Sequence, residues 1–377
     1  MILLGKNSRT FPQPDTLPFR LLSLTAISGE FPTSQLNRLP ASPYYLESVV
    51  TSLKKSGLLR TYYRDRLRGY RLGAKATAAL LDGWPERFSP YLTGDTDTNR
   101  LKSEVNRRFR LHRLAETYVT MDNAGIGLFQ DEKPKVFSPQ GYHGEAIEYP
   151  AFYSSREVKE MGIDATQVRS SRFAGVLLAP TGIFVTYNSG AALMKWRCKS
   201  EMRVKALMWS VLCQQRLAGQ YRAEDVHGLV LGDSMELAYQ MLTSTGGAKH
   251  DYFMLDGSYD HFYFLTNNHQ GEVILALLCD PLKTAELNRI LSQGLIAGNA
   301  GKAIEQDAAE QDGTPVLFGY SCDLPRITRF STSLDLMERP GTLICFDFQA
   351  DVLRRYCGSR VRFQTIDFTK FEGRLFP

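Results

Sequence analysis

The alternation of apolar and polar positions at the start of the chain predicts two short helices. The first covers PFRLLSLTAIS, and Gly29 follows it as a residue that can take the left-handed cap conformation. Thr33 offers an N-cap for the second, TSQLNRL. Pro40 ends this second helix, because proline lacks the backbone N–H that a continuing helix needs.

A third helix is predicted from Ser42, its N-cap, with Pro43 at the first helical position. Its apolar residues recur at i, i+3, i+4 and i+7, which makes one packed stripe of Leu46, Val49, Val50 and Leu53. The other face carries side chains that can reach base edges and phosphates, and with Ser42 they form the candidate interface: Tyr44, Tyr45, Ser48, Thr51, Lys54 and Lys55.

A β-hairpin is predicted next, because the β-prone segments LLRTYY and GYRL lie on either side of the tip RDRLR. The segment GAKATAALLDG then predicts a closing helix. The tip holds three arginines against one acid, and three more cations flank it: Arg64, Arg66 and Arg68 at the tip, with Arg60, Arg71 and Lys75 beside it. Such a tip is suited to contact phosphates or a minor groove.

The order helix, helix, helix, hairpin, helix resembles the winged-helix superfamily. The run LKKSGLLRTYYRDRLRGYRLGAKATAALL, from Leu53 to Leu81, carries most of the resemblance. The resemblance implies a winged helix-turn-helix domain over residues 15–85. Winged helices bind duplex DNA or, in other members, only protein, so the resemblance is compatible with both functions.

Charge favours the DNA reading over the protein reading. Residues 1–113 hold 19 Lys and Arg against 9 Asp and Glu, whereas residues 114–377 hold 26 against 31. A positive field confined to one part of the chain attracts a polyanion, and nucleic acid is the usual polyanion. A basic face that is merely solvated is the alternative.

The rest of the chain predicts an α/β body. Residues 86–99 are rich in Gly, Pro, Thr and Asp and predict a linker. Residues 100–222 begin with a basic helix, whose apolar positions are taken as Val105, Phe109, Leu111 or His112, Leu114 and Tyr118. That helix extends the DNA footprint or is only solvated. A capping box at Ser154 and Glu157, two strands and a long helix follow.

Residues 223–377 predict a strand, a helix, a hairpin over HFYFLTNNHQGEVILALL, a helix and a strand, and then a β-α-β unit at the end. The expected fold class is therefore multidomain α+β: an N-terminal winged helix-turn-helix followed by an α/β body with a mixed, mostly parallel sheet.

A winged helix followed by HRLAETYVTM, two strands and a long helix resembles the plasmid replication-relaxation family over residues 15–210. The resemblance implies a body related to restriction-endonuclease-like nucleases. Relatives carry an Asp and then Glu-x-Asp or Glu-x-Lys on the strand pair, where this chain has SRFAG from Ser171 and VTYN from Val185. Metal-dependent cleavage needs such carboxylates. The expectation is a degenerate, non-catalytic nuclease-like region, with a displaced site at Glu201, Lys199, Glu145 and Glu148 as the alternative.

Other chemistry is weakly indicated. Asp251, Asp256, Asp260 and His261 lie close in sequence, as in a metal loop, but are interpreted as acidic turn residues. GNAGKA departs from the phosphate-loop motif at two positions. No cysteine or histidine pair has zinc spacing. We therefore expect no metal, no cofactor and no catalytic residue.

Taken together, the sequence predicts a cytoplasmic duplex DNA-binding protein of a plasmid or integrated mobile element, without membrane association. It would act in replication, relaxation or transfer by occupancy, with replication or conjugation proteins as possible partners and with homodimers allowed. The alternatives are a winged-helix transcriptional regulator and a metal-dependent nuclease with displaced carboxylates.

Overall fold

The computed structural model describes residues 11–94, 104–162, 168, 171–297 and 304–376. The chain divides into two compact units. Unit 1 comprises Met1–Asn123 and Phe129–Lys133, and unit 2 comprises Ala124–Leu128 and Pro134–Pro377. The GNAGKA segment lies outside the described residues, as do positions 95–99 of the predicted linker.

Unit 1 is mainly helical. Its helices are α1 (Leu17–Ser28), a 3₁₀ helix (Thr33–Arg38), α2 (Pro43–Lys55), α3 (Ala74–Gly83), α4 (Pro85–Leu92) and α5 (Val105–Asn123). Gly29 ends α1 at φ +75°, as the sequence predicts, and Thr16 caps the start of the helix. The second predicted helix forms as a 3₁₀ helix rather than an α-helix. α1 packs against α2, α4 and α5 and is buried from Leu21 to Ser28.

A small antiparallel sheet completes unit 1. Its strands are β1 (Phe31–Pro32), β2 (Leu59–Arg64) and β3 (Leu67–Leu72), in the order β1-β3-β2. β2 and β3 form the predicted hairpin, with Arg64 opposite Leu67 at its end. β1 pairs with Gly69 and Tyr70 of β3, so the tip of the hairpin extends past the third strand.

The predicted linker at 86–99 is wrong over its first half. Pro85 occupies the first position of α4, and Phe88 and Tyr91 are buried. The ring of Phe88 lies 6.3 Å from that of Phe19 in α1. Two apolar anchors one turn apart are enough to pack a helix this short, but they are too few to show a period among Gly and Pro residues.

The basic helix also belongs elsewhere than predicted. α5 lies in unit 1 rather than opening a new domain at residue 100, since Arg20 of α1 binds Asp122 at 2.5 Å and Asn123 at 2.8 Å. Its packed stripe also differs from the one expected. Phe109 is 46% exposed. The buried side chains at helical spacing are Arg108, Leu111, His112, Ala115 and Tyr118, so the packed stripe includes an arginine and a histidine.

Unit 2 contains two mixed sheets over one continuous hydrophobic core. The first has the order β4-β5-β6-β7-β8: β4 (Ala151–Ser154), β5 (Gly175–Ala179), β6 (Gly182–Gly190), β7 (Val226–Gly232) and β8 (Phe262–Thr266). β4, β5 and β6 are antiparallel, and β6, β7 and β8 are parallel. Its helices are α6 (Ser155–Lys159), α7 (Cys198–Met208), continued as a π-helix over Trp209–Arg216, and α8 (Met235–Thr243). The predicted capping box of Ser154 and Glu157 is confirmed.

The second sheet has the order β13-β12-β11-β10-β9. Its strands are β9 (Ile296–Ala297), β10 (Ala308–Ala309), β11 (Pro315–Phe318), β12 (Gly341–Phe346) and β13 (Val361–Ile366), of which β11 to β13 run parallel. The helices are α9 (His269–Cys279), α10 (Pro281–Leu291), α11 (Leu324–Leu336), α12 (Asp347–Tyr356) and α13 (Phe368–Leu375). The predicted final β-α-β unit is therefore confirmed.

Three expectations for the body are corrected. The predicted hairpin in HFYFLTNNHQGEVILALL is β8 followed by α9, because Asn268 caps a helix and an unbroken apolar run has no period that separates strand from helix. The boundary at 222 falls within a sheet, since β6 and β7 pair across it. The sheets are mixed, as predicted, but parallel strand pairs do not outnumber antiparallel ones: four pairs are antiparallel, in β4-β5-β6 and β9-β10-β11, and four are parallel. The fold is α+β.

Candidate nucleic-acid interface

The N-cap at Ser42 and the helical period of the apolar residues determine which side chains of α2 face outward. The Ser42 hydroxyl accepts a hydrogen bond from Tyr45 N at 3.4 Å, and the four predicted apolar residues are all buried. All the predicted contact residues of this helix are exposed: Ser42, Tyr44, Tyr45, Ser48, Thr51, Lys54 and Lys55. Tyr44 is 84% exposed, which is unusual for a large ring and leaves it available to a ligand.

At 100° per residue, a stripe lies directly opposite the buried side: Tyr44, Ser48, Thr51 and Lys55. Glu47 and Lys54 lie on one flank of this stripe, and Tyr45 and Ser52 on the other. Glu47 and Ser52 were missed from sequence, although both hold exposed positions of the same helix. Glu47 matters most, because a carboxylate repels phosphate but can accept from a cytosine amino group.

The hairpin tip is a two-residue turn in an uncommon conformation. Asp65 and Arg66 both have positive φ, 53° and 61°, which matches a type I′ turn built without glycine. The side chains of Arg64, Arg66 and Arg68 are exposed. Residues opposite each other in the ladder share a face, so Arg68 shares one with Tyr63 and Arg64 lies on the other.

Arg68 lies on the same face of the hairpin as Tyr70, and the hairpin packs against α2 through β2. Tyr70, two residues along the same strand, is buried, and this burial raises its pKa. The charge of Arg68 opposes the rise and that of Glu47 adds to it, so both charges act at Tyr70. α2 and the hairpin thus pack against each other within unit 1.

Arg60 and Lys75 are exposed, as expected, but Arg71 is a correction. Arg71 is buried, and its guanidinium binds Glu30 at 2.6 Å and lies 3.6 Å from the centre of the Tyr62 ring. The reason is topological: β3 is the central strand, so a side chain there is covered on the face where an edge residue such as Arg60 reaches solvent. Arg71 is therefore removed from the predicted interface.

Glu30 is the centre of a buried ionic network that the sequence did not reveal. Its side chain is fully buried, and Arg108 of α5 binds it at 2.6 Å through Nη2. His112 Nε2 lies 2.8 Å from the same Glu30 oxygen, and Arg71 binds the other. Burial would raise the pKa of Glu30, but hydrogen bonds from His112, Arg108 and Arg71 outweigh it and lower the pKa to about 2.

One signal for this network was present in the sequence. Arg108, Leu111, His112 and Ala115 follow i, i+3, i+4 and i+7, so Arg108 occupies a position on the packed stripe of α5. A charged residue on a packed stripe implies a buried partner, since an unpaired buried charge is strongly unfavourable. Nothing in the local pattern identifies Glu30 as that partner.

The candidate nuclease residues of unit 2 do not converge. Glu145, Glu148 and Lys199 are exposed, whereas Glu201 is fully buried. Glu201 accepts from Arg172 N and from the Tyr187 hydroxyl, both at 3.1 Å. Burial raises its pKa to about 7, against these hydrogen bonds. Across the described residues, no three His, Cys, Asp or Glu side chains are grouped so as to hold a metal ion.

The predicted acidic turn residues have separate partners. Asp256 accepts from Trp196 Nε1 at 2.8 Å and from Ser258 N at 2.9 Å, as a turn-stabilising carboxylate does. Burial would raise the pKa of Asp256, but bonds from Ser258 and Trp196 lower it. His261 Nδ1 instead lies 2.6 Å from the buried Asp323.

Comparisons with protein-family models, curated proteins and solved structures find no match. Over the part of the chain that the structure describes, every helix is too short or too polar to cross a membrane.

Proposed function

We propose that this chain binds duplex DNA through unit 1, which we interpret as a winged helix. One observation carries the proposal: an exposed helix face of tyrosines, hydroxyls and lysines and an exposed arginine-rich hairpin tip lie in one compact unit, in which α2 packs against strand β2 of that hairpin. Both surfaces consist of the donors that bind phosphates and base edges.

In this proposal α2 lies in the major groove. Tyr44, Ser48 and Thr51 face base edges, and Lys55 at the end of the same stripe contacts a phosphate. Arg66 and Arg68 at the hairpin tip contact the backbone or the adjacent minor groove. Arg60 and Lys75 add positive charge at the edge of the proposed interface. In this proposal the chain acts by occupying DNA and not by catalysis.

The wider role we propose is in replication, relaxation or transfer of a plasmid or integrated mobile element. It rests on the resemblance of residues 15–210 to the plasmid replication-relaxation family. Unit 2 would then recruit replication or conjugation proteins or a second copy of the chain. Transcriptional control by the same DNA-binding unit is the alternative, and the identity of the bound sequence distinguishes the two.

The test is DNA affinity as a function of salt. Replacing Arg64, Arg66 and Arg68 together by Ala should weaken binding to a mixed-sequence duplex at least tenfold. It should also reduce the slope of log affinity against log salt by about 2 to 3, since each lost phosphate contact removes about one unit of slope. Fluorescence anisotropy between 50 and 300 mM salt, a range of conditions chosen on the order of cellular ionic strength, measures both.

A matched control separates local contact from net charge. Replacing the exposed cations Arg203, Arg222 and Lys249 of unit 2 by Ala removes the same charge and should leave the slope unchanged. Glu47→Gln should act in the opposite direction and raise affinity, because it removes a negative charge beside the proposed phosphate contacts. Equal effects of the two triple variants, or no binding by the intact chain, would refute the proposal.

The same protein preparation also tests the two other candidate functions. Nicking of plasmid DNA that requires Mg²⁺ or Mn²⁺ and stops with chelator would favour the nuclease. Absence of DNA binding with the fold intact would favour a protein-docking winged helix.

A further inference from the structure

Arg108 is the link between α5 and the hairpin tip. Its Nη1 donates to the Arg64 carbonyl at 2.7 Å, and its Nη2 donates to the Leu67 carbonyl at 3.0 Å. These carbonyls belong to the two residues that flank the Asp65-Arg66 turn. One guanidinium therefore holds both strands at the point where the hairpin reverses.

The same guanidinium is itself firmly held. Nε and Nη2 of Arg108 bind Glu30 at 3.1 and 2.6 Å, and the side chain is fully buried. The ring of Tyr62, on β2, lies 4.7 Å from its central carbon. Glu30 is fixed in turn by Arg71 on β3. We call this set of contacts the clamp: Arg108 of α5 is held by Glu30, the residue before β1, and by the hairpin itself.

The tip needs such a clamp because the sheet does not support it. β1 pairs with Gly69 and Tyr70, so the segment from Arg64 to Leu67 continues as two strands alone. Two-stranded hairpins are marginally stable in water, and this turn holds two non-glycine residues at positive φ. Without another contact, ordering the tip would cost free energy at the moment of binding.

We propose that Arg108 is a positioning residue that pre-orders the arginine-bearing tip for DNA. The inference rests on the proposed function: Arg108 touches no DNA and acts through the carbonyls of Arg64 and Leu67. Its loss should weaken affinity by making the tip pay the ordering entropy on binding, while the number of phosphate contacts in the complex stays the same.

The test is Arg108→Lys, which keeps the charge but cannot hold two carbonyls and a carboxylate with a planar fork. DNA affinity should fall about tenfold with the salt slope unchanged, unlike the tip triple variant, which lowers the slope. Amide hydrogen exchange in a peptide covering Arg64 to Leu67 should accelerate about tenfold or more without DNA. The control is Arg107→Lys, at the exposed neighbour that pairs with Glu104 at 3.1 Å.

A second variant covers a failure to fold. Glu30→Leu, Arg71→Met and Arg108→Met together replace the buried charges by apolar side chains, a change that is often neutral or stabilising, and still remove the clamp. Faster tip exchange and weaker binding in either folded variant support the proposal. Unchanged exchange, or faster exchange with unchanged affinity, overturns it. If the intact chain binds no duplex, the proposed function fails, while the exchange result still decides whether Arg108 orders the tip.

Discussion

Two fully buried glutamates, one in each unit, have pKa values that are shifted in opposite directions. Glu30 in unit 1 accepts from two arginines and contacts a histidine, and its pKa is lowered to about 2. Glu201 in unit 2 accepts from a tyrosine hydroxyl and a backbone N–H, and burial raises its pKa to about 7. Neither side chain is accessible to solvent, so solvent exposure alone does not explain why the two pKa values shift in opposite directions.

The difference lies in the charge of the donors. A guanidinium compensates the desolvation of a carboxylate, whereas neutral donors compensate only part of it. Unit 1 therefore contains a buried ionic cluster, and Arg108 of that cluster also donates to the Arg64 and Leu67 carbonyls at the hairpin tip. Unit 2 has a buried carboxylate held by neutral donors, and burial there favours its neutral form.

The largest effect is expected from Glu30→Gln. The change leaves Arg71 and Arg108 buried without a counter-charge and should lower the free energy of unfolding of unit 1 by about 3 to 5 kcal/mol at pH 7. Urea unfolding followed by hydrogen exchange in peptides of α1 measures this for unit 1 by itself. Glu47→Gln is the exposed control and should change stability by less than about 0.5 kcal/mol.

The pH dependence of that variant checks its cause. Because the pKa of Glu30 is lowered, its stabilisation is present above an ordinary glutamate pKa and is lost as pH falls towards about 2. The stability difference between the original chain and Glu30→Gln should therefore shrink in acid. A difference that stays constant between pH 7 and pH 3 would show that lost packing, rather than lost charge, is responsible.

A smaller effect of opposite sign is expected from Glu201→Gln. A raised pKa means that the original chain loses stability as pH rises from about 4.5 to about 7, because folding then opposes ionisation. The glutamine variant mimics the neutral acid, so at pH 8 it should be more stable by about 3 kcal/mol. At pH 4 the two proteins should unfold alike. Urea unfolding at both pH values, read in peptides of β6, decides this, and a variant less stable at pH 8 contradicts it.

The smallest of these effects is expected from Gly69→Ala, which presses on the network without removing a charge. A Cβ at Gly69 would lie 2.5 Å from Glu30 Oε1 and 2.6 Å from Cγ. Glu30 is held by both arginines and has little room to move, so the cost should be about 1 to 3 kcal/mol. Gly83→Ala is the control, because a Cβ there meets nothing within 4 Å. Equal stability of the two variants, measured by urea unfolding, would mean that Glu30 and its partners can shift to accommodate the added Cβ.

The helices and strands that carry strong local signals were predictable. Ser42, Pro43 and a four-residue apolar stripe specify α2, and β-prone runs around RDRLR specify the hairpin. The exposed positions of α2 follow from the same period, so most of the candidate site was predictable too. α4 and α9 were not, because the first has two apolar anchors and the second is apolar all round, and neither shows a clear period.

The sequence by itself determined where the caps, turns and packed stripes fall, because these depend on residues within a few positions of each other. Only the tertiary structure decided which cations are buried and which are exposed. Arg71 and Arg108 meet Glu30 across 41 and 78 positions of the chain. The free energy of a charge depends on what surrounds it in space, and for these arginines the surroundings are assembled from strands and helices that are distant in sequence.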